Sequence, residues 1–292
     1  MKRTFIALFC IALVVGGCRQ PSDIELVSDE DLTNLEVFAV AQADTDLVTA
    51  GIDSTGMLPA DQTRYTGSFL VNSVTWDAGT VTKTVAYSRV FFADSAVRFQ
   101  NHHIGYLGQD VGAVTLNSNL MFKLPHRISI NRYVGGDSSI VRGVEYVTDL
   151  TGSFEPARQY SWVVISRLVP VLTVATDAPD NLTVITPRGG TIHSRVKDLP
   201  VRWTGGKGNL SIVVSVYLPA QKKSVPLLEF RARANNGKAV IPAKLLTQLP
   251  SGTTFVLTFV LANKKEVQIS QPVAGKIFAQ AASVYNCFIE LR

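Results

Sequence analysis

Ser211-Ile212-Val213-Val214-Ser215-Val216-Tyr217-Leu218 is the stretch that decides the fold. Ile212, Val214, Val216 and Leu218 recur at every second position, which puts them on one side of an extended chain. A helix would need apolar residues three and four apart, and this run does not supply that spacing. The same reading applies on both sides of the run. Leu199 to Trp203, Leu227 to Ala232 and Lys238 to Ile241 are short β-like segments separated by glycine- or lysine-bearing turns. Pro242 to Leu249 reads as one or two helical turns opened by proline. Phe255 to Leu261, Val267 to Ile269, Lys276 to Ala282 and Val284 to Leu291 complete the series.

Toward the N-terminus the pattern is looser but of the same kind. Leu35 to Ala41, Phe69 to Trp76, Ala113 to Leu116, Arg127 to Tyr133, Ile140 to Val147 and Tyr160 to Ile165 read as strands. In Val81 to Phe92, Val81, Val85, Tyr87 and Phe91 share a face with Lys83 and Arg89, and Ala86, Val90 and Phe92 lie opposite. Such mixed faces suit a sheet wetted on one side. Gly135-Gly136-Asp137 suits a hairpin turn. With 292 residues, 46% of them apolar and 17% charged, the composition is globular. The expectation is an all-β protein of two β-sandwich domains, spanning 32–177 and 178–292. The boundary falls at the polar break Thr176-Asp177-Ala178-Pro179-Asp180.

The segment Ile185 to Leu291 resembles Ig-like and fibronectin III-like modules. The Thr186-Pro187 entry, Trp203 at the end of an early strand and the helical turn before Phe255 carry that resemblance. It implies a binding or spacer module, and architecture alone does not define a function.

The first residues have the three-part order of an export signal, with Lys2 and Arg3, then apolar Phe5 to Val15, then Gly16-Gly17. The apolar run is too short to span a bilayer core as a helix. Val15-Gly16-Gly17-Cys18 resembles the lipobox of bacterial lipoproteins. The resemblance implies a signal peptide over 1–17, cleavage before Cys18, and acyl chains such as palmitate on that cysteine. Arg19 stands where a retention signal would place Asp, which implies the outer membrane. The polar, acidic stretch 18–31 reads as a lipidated tether. With Cys10 removed and Cys18 acylated, only Cys287 remains, so a disulfide framework is excluded. Cys287 alternates with Tyr285, Ile289 and Leu291, which points its thiol inward.

No nucleophile elbow, phosphate loop, dinucleotide fingerprint or His-Glu-x-x-His is present. No catalytic, cofactor-binding or metal-binding residue is therefore assigned, and no cofactor is expected. His102-His103 would face opposite ways in a strand, and His126 and His193 stand alone. Asp53-Ser54-Thr55-Gly56 with Asp61 lacks the acid spacing of a calcium loop and reads as a solvated turn. Trp76, Trp162 and Trp203 each read as core before they read as a sugar-binding surface.

The reading is a membrane-anchored envelope lipoprotein that binds or scaffolds. The alternative is a carbohydrate- or peptidoglycan-active enzyme using a carboxylate pair, with Glu145, Asp149 and Glu155 as the nearest cluster. Charge adds a partner expectation. Residues 18–177 carry 11 basic and 18 acidic groups, a net of −7, and residues 178–292 carry 15 and 5, a net of +10. Lys222, Lys223, Arg231, Arg233, Lys264 and Lys265 are the expected contacts for an anionic envelope polymer. No aromatic residues interleave with them, so nucleic acid is not the expected partner.

Overall fold

A computed structural model describes residues 35–39, 65–99, 102–130, 138–165, 171–206, 209–218, 223–232, 236–269 and 275–292. Residues 1–31, with Cys18, lie outside them, as do Asp53 to Asp61, Gly135 to Asp137, Lys222 and Arg233. The described chain is nearly all strand. Its first half holds β1 (Leu35–Ala39), β2 (Gly67–Asp77), β3 (Thr82–Phe99), β4 (His102–Gly108), β5 (Ala113–Leu116) and β6 (Asn119–Leu120). Then come β7 (Phe122–Ile130), β8 (Ser138–Asp149), β9 (Gln159–Ile165), β10 (Leu172–Asp177), β11 (Thr183–Thr186) and β12 (Thr191–His193). β13 (Leu199–Thr204), β14 (Asn209–Leu218), β15 (Lys223–Ala232) and β16 (Lys238–Ile241) precede one short helix, α1 (Ala243–Leu246). β17 (Thr253–Ile269) and β18 (Gly275–Leu291) close the chain.

An 11-stranded sheet forms the backbone of the molecule, in the order β1-β15-β14-β17-β18-β2-β3-β4-β8-β7, with β12 beside β18. Its spine is the β17–β18 hairpin, two strands of 17 residues paired along their whole length. The sequence reads each of these as two shorter strands, β17 being divided where Asn263-Lys264-Lys265-Glu266 interrupts the apolar pattern and β18 at Ser283. The ladder hydrogen bonds run straight through that polar patch, since backbone pairing does not require apolar side chains.

Alternation along the hairpin sorts the two faces. Phe255, Leu257, Phe259 and Leu261 of β17 join Tyr285, Cys287, Ile289 and Leu291 of β18 in one core. Above that core lies the sheet β11-β13-β16, which contributes Val184, Val201, Trp203 and Ile241. Ile269, Ile277, Ala279 and Ala281 fall on the same side of the hairpin but belong to a second core. There the covering sheet is β10-β9-β5-β6, with Trp162, Val164, Val114 and Val174. Phe69 meets Phe92 and Trp162 edge-on at 5.4 and 5.7 Å, and the Trp162 indole N–H donates to Ser88 Oγ at 2.9 Å. Edge-on rings and a satisfied indole are the favoured arrangement for buried aromatics.

Two sandwiches thus share one sheet. The polar break at 177–180 is where the chain leaves β10 of one small sheet for β11 of the other. The main sheet continues across that division, because β18 pairs in parallel with β2 from Ile277 opposite Gly67 to Cys287 opposite Asp77. β1 likewise crosses it, pairing with β15 and placing Leu35 in the core with Trp203. Composition reveals where a chain becomes polar but not which distant strand completes a sheet.

Candidate functional site

The other face of the main sheet is built from the remaining alternation. Val74, Val260, Ala262, Ala282 and Val284 form a small apolar cluster on it, bordered by Trp76, Val85 and Tyr87. At one end of this face three aromatic side chains meet. Trp76, next to last in β2, sits opposite Asn286 of β18. Its ring lies 6.2 Å from that of Phe288 at an interplanar angle of 32°. Tyr217 of β14 stands edge-on to Phe288, at 5.2 Å and 86°. All three rings are half-buried.

Polar groups lie among these rings. The Thr258 hydroxyl donates to Asn286 Oδ1 at 2.8 Å, which fixes the amide. Asn286 Nδ2 and Ser215 Oγ are buried and have no hydrogen-bond partner among the described residues. Asn286 is 3% exposed and Ser215 1%. Such atoms ordinarily find partners in a folded protein, so each requires an explanation. Farther along the same face, Gln280 Nε2 approaches Asn72 Oδ1 at 3.5 Å, both residues being fully buried.

The three tryptophans therefore divide. Trp162 and Trp203 are core side chains, 0% and 2% exposed, whereas Trp76 reaches the surface. The signal was available in part. Cys287 pointing into one core puts Phe288 on the opposite face of β18, which made that ring worth following.

The carboxylates named for the enzyme alternative are each held by their own neighbours. Glu145 Oε2 accepts from Arg89 at 2.8 Å and lies 3.4 Å from His126 Nδ1, whose ring packs on Phe91 at 4.5 Å. Burial pushes the Glu145 carboxyl up, but His126 and Arg89 outweigh it and hold the carboxyl below its ordinary value. Asp149 Oδ1 accepts from the Thr151 N–H at 2.8 Å, and Glu155 pairs with Arg158 at 2.5 Å. Glu145 and Asp149 share one face of β8 but stand four residues apart, about 13 Å at the rise of a strand.

The basic residues are also spread out. Lys223 opens β15 opposite Leu218, level with the start of β17. Lys264 and Lys265, both exposed, lie opposite Gln280 and Ala279 near the far end of that strand. That separation is about 35 Å along the sheet. Arg231 grips the carboxylate of Glu229 through two bonds of 3.0 Å. His102 and His103 are consecutive residues of β4.

No protein-family model matches the chain, and no curated protein matches it.

Proposed function

We propose that this chain is a bacterial outer-membrane lipoprotein, anchored through Cys18, whose folded part binds a ligand and catalyses nothing. The anchor rests on the order Lys2-Arg3, apolar Phe5 to Val15, and Val15-Gly16-Gly17-Cys18. Acyl chains on the new N-terminal cysteine would hold the protein stably where one chain would be marginal. The binding reading rests on the cluster of Trp76, Phe288 and Tyr217, three half-buried rings held by separate strands of the main sheet. A hydrolase would need two carboxyl groups about 5 to 10 Å apart across a groove. Glu145, Asp149 and Glu155 are each engaged by their own neighbours instead. An anionic envelope polymer stays a candidate partner for Lys264 and Lys265, with salt-sensitive retention on lipopolysaccharide as its sign.

Mass spectrometry and detergent partition of the protein from a bacterial host test the anchor. The mature chain is expected to begin at Cys18, carry acyl mass and enter the detergent phase, and Cys18→Ser is expected to stay unprocessed or soluble. An unmodified Cys18 would overturn the anchor. Sedimentation of the mature chain with purified envelope tests the binding reading, and no cosedimentation at any salt would overturn that.

A further inference from the structure

The far face of the main sheet is shut from solvent, yet nothing among the described residues lies over it. Asn72 of β2, Ser215 of β14, Val256 and Val260 of β17, and Ala282 and Val284 of β18 are all buried. Both small sheets pack on the other side, and the apolar cluster on this one holds only residues of β2, β3, β17 and β18. Asn72 Nδ2, Ser215 Oγ and Asn286 Nδ2 are enclosed with no partner among the described residues. Whatever lies over this face must therefore bring hydrogen-bonding groups as well as apolar ones.

The handedness of the strand connections points to what that layer is. β15 and β17 are both antiparallel to β14, so they are parallel to each other. The chain between them, β16 and α1, lies over the Trp203 core, on the near face. Four antiparallel pairings separate β1 from β18, and β18 is parallel to β2, so β1 and β2 are also parallel. They run opposite to β15 and β17, while both connections move across the sheet in the same sense, toward β2. Nearly all crossovers between parallel strands of one sheet are right-handed. Two connections of one hand, made in the same sense between strands of opposite direction, fall on opposite faces. The near face is taken by β16 and α1, which leaves the far face for the chain between β1 and β2.

The far end of that chain is already in place. Tyr65, two residues before β2, stacks on Phe278 at 5.0 Å, and its hydroxyl donates to Glu266. Phe278 and Glu266 alternate with Ile277 and Val267 of the second core, so both stand on the far face. The length also fits. Ala39 is level with Cys287 through Leu228, Val214 and Leu257, and Gly67 is level with Ile277. The path is therefore about 24 Å across five strand spacings and about 33 Å along the strands. The 25 residues 40–64 reach roughly 80 Å when extended. They include Leu47, Val48, Ile52, Met57 and Leu58 among hydroxyl, amide and acidic residues, the mixture that the face demands.

We propose that residues 40–64 cross the far face of the main sheet from β1 to Tyr65 and form the layer over Asn72, Ser215, Val260 and Ala282. The proposal goes beyond the binding reading, which concerns the three rings at the end of this face.

Photo-crosslinking of the full mature chain tests the path. Benzoylphenylalanine is placed at position 264 or at position 265, both exposed lysines on opposite faces of β17. From position 264 the adduct is expected within residues 40–64 of the same chain, and from position 265 it is not. Mixing isotopically light and heavy protein separates adducts within one chain from those between two. A second variant replaces residues 45–60 by glycine and serine at equal length. It is expected to bind a hydrophobic dye and to lower the melting temperature by roughly 5 °C or more. No adduct in 40–64 from position 264, an adduct there only from position 265, or one formed only between chains would overturn the crossing. So would a glycine–serine variant that melts with the wild type and binds no dye.

Discussion

The Tyr285 hydroxyl donates to Asp77 Oδ2 at 2.7 Å, joining the end of β2 to the middle of β18. The same carboxylate accepts from the Gly189 N–H at 3.0 Å and, through Oδ1, from the Gly79 N–H at 2.8 Å. Arg188 reaches the Tyr285 oxygen at 3.2 Å. Asp77 pairs with Cys287, where β2 ends, and β12 takes over the same edge of β18 from Thr191 opposite Ile289. One buried carboxylate thus gathers the residues through which the two sandwiches exchange neighbours.

Asp77 is expected to make stability depend on pH. Burial pushes its carboxyl up, but the bonds from Gly189, Tyr285 and Gly79 and the charge of Arg188 hold it below its ordinary value. A depressed folded value means the stabilisation is full above the unfolded value and is lost as pH falls through the folded one. The unfolded value is about 3.9, so the melting temperature should hold at neutral pH and fall below about pH 4. Asp77→Ala should cost roughly 3 kcal/mol at pH 7, because buried donors lose their acceptor. Tyr285→Phe should cost about 1 kcal/mol. Denaturant melts at pH 7 and pH 3 check both, and an Asp77→Ala protein as stable as wild type at pH 7 would refute the role.

The neighbouring glycines carry a steric prediction. A Cβ on Gly189 would meet the Asp77 carbonyl oxygen at 2.3 Å and the Gly79 nitrogen at 2.4 Å. Both are backbone atoms, so neither can rotate away. Gly79 has a φ of +87°, in the left-handed region that side chains disfavour. Gly189→Ala should therefore destabilise by more than about 2 kcal/mol, while Gly252→Ala, whose Cβ meets nothing, should cost about 1 kcal/mol for its own positive φ. Equal losses in thermal melts of the two variants would contradict the close approach.

Much of this was legible in the sequence, and its limits have physical causes. The alternation at Ser211 to Leu218 identified β14 and its buried side, and the register of Cys287 placed its thiol in the core. Pro242 was read as the first helical residue and proves to be the cap of α1, whose first N–H is taken by Asp198 at 2.8 Å. Long-range pairing was not legible. Nothing near Gly67 to Asp77 announces a parallel partner some two hundred residues away. The Trp76 site shares this cause, since its three rings come from strands far apart in the chain.

Cys287 is expected to be inert in the folded state. It is fully buried, its Sγ lies 3.8 Å from the Leu257 carbonyl oxygen, and burial pushes the thiol up to about 12, with the charge of Asp77 adding to the effect. The thiolate is the nucleophile that attacks the reagent's disulfide and expels its thiolate, and with the thiol pushed up it is scarce at pH 8. Labelling with a chromogenic disulfide should be slower by roughly a thousandfold in the native protein than in denaturant, from low thiolate content and burial together. Rapid native labelling would place Cys287 on the opposite face of β18.

The shared sheet predicts how the chain responds to being cut at its polar break. Residues 178–292 contain β11 to β18 and α1, and so carry one complete small sheet and most of one core. Removing the preceding residues strips β18 of β2 over the run from Ile277 to Cys287. It also strips β15 of β1. Ile269, Ile277, Ala279 and Ala281 lose the core they share with Phe69, Val71 and Trp162, and Val284 loses Val74 on the other face. The hairpin would then present an open backbone edge and an apolar strip together, the combination that favours aggregation. The isolated segment is expected to bind a hydrophobic dye, give a poorly dispersed amide spectrum and melt well below the full mature chain. Asp77 is also absent from it, so Tyr285, Gly189 and Arg188 lose their common acceptor. A segment that disperses well and melts cooperatively at the temperature of the full chain would show that the β2–β18 pairing contributes little, and that the two sandwiches are separable units.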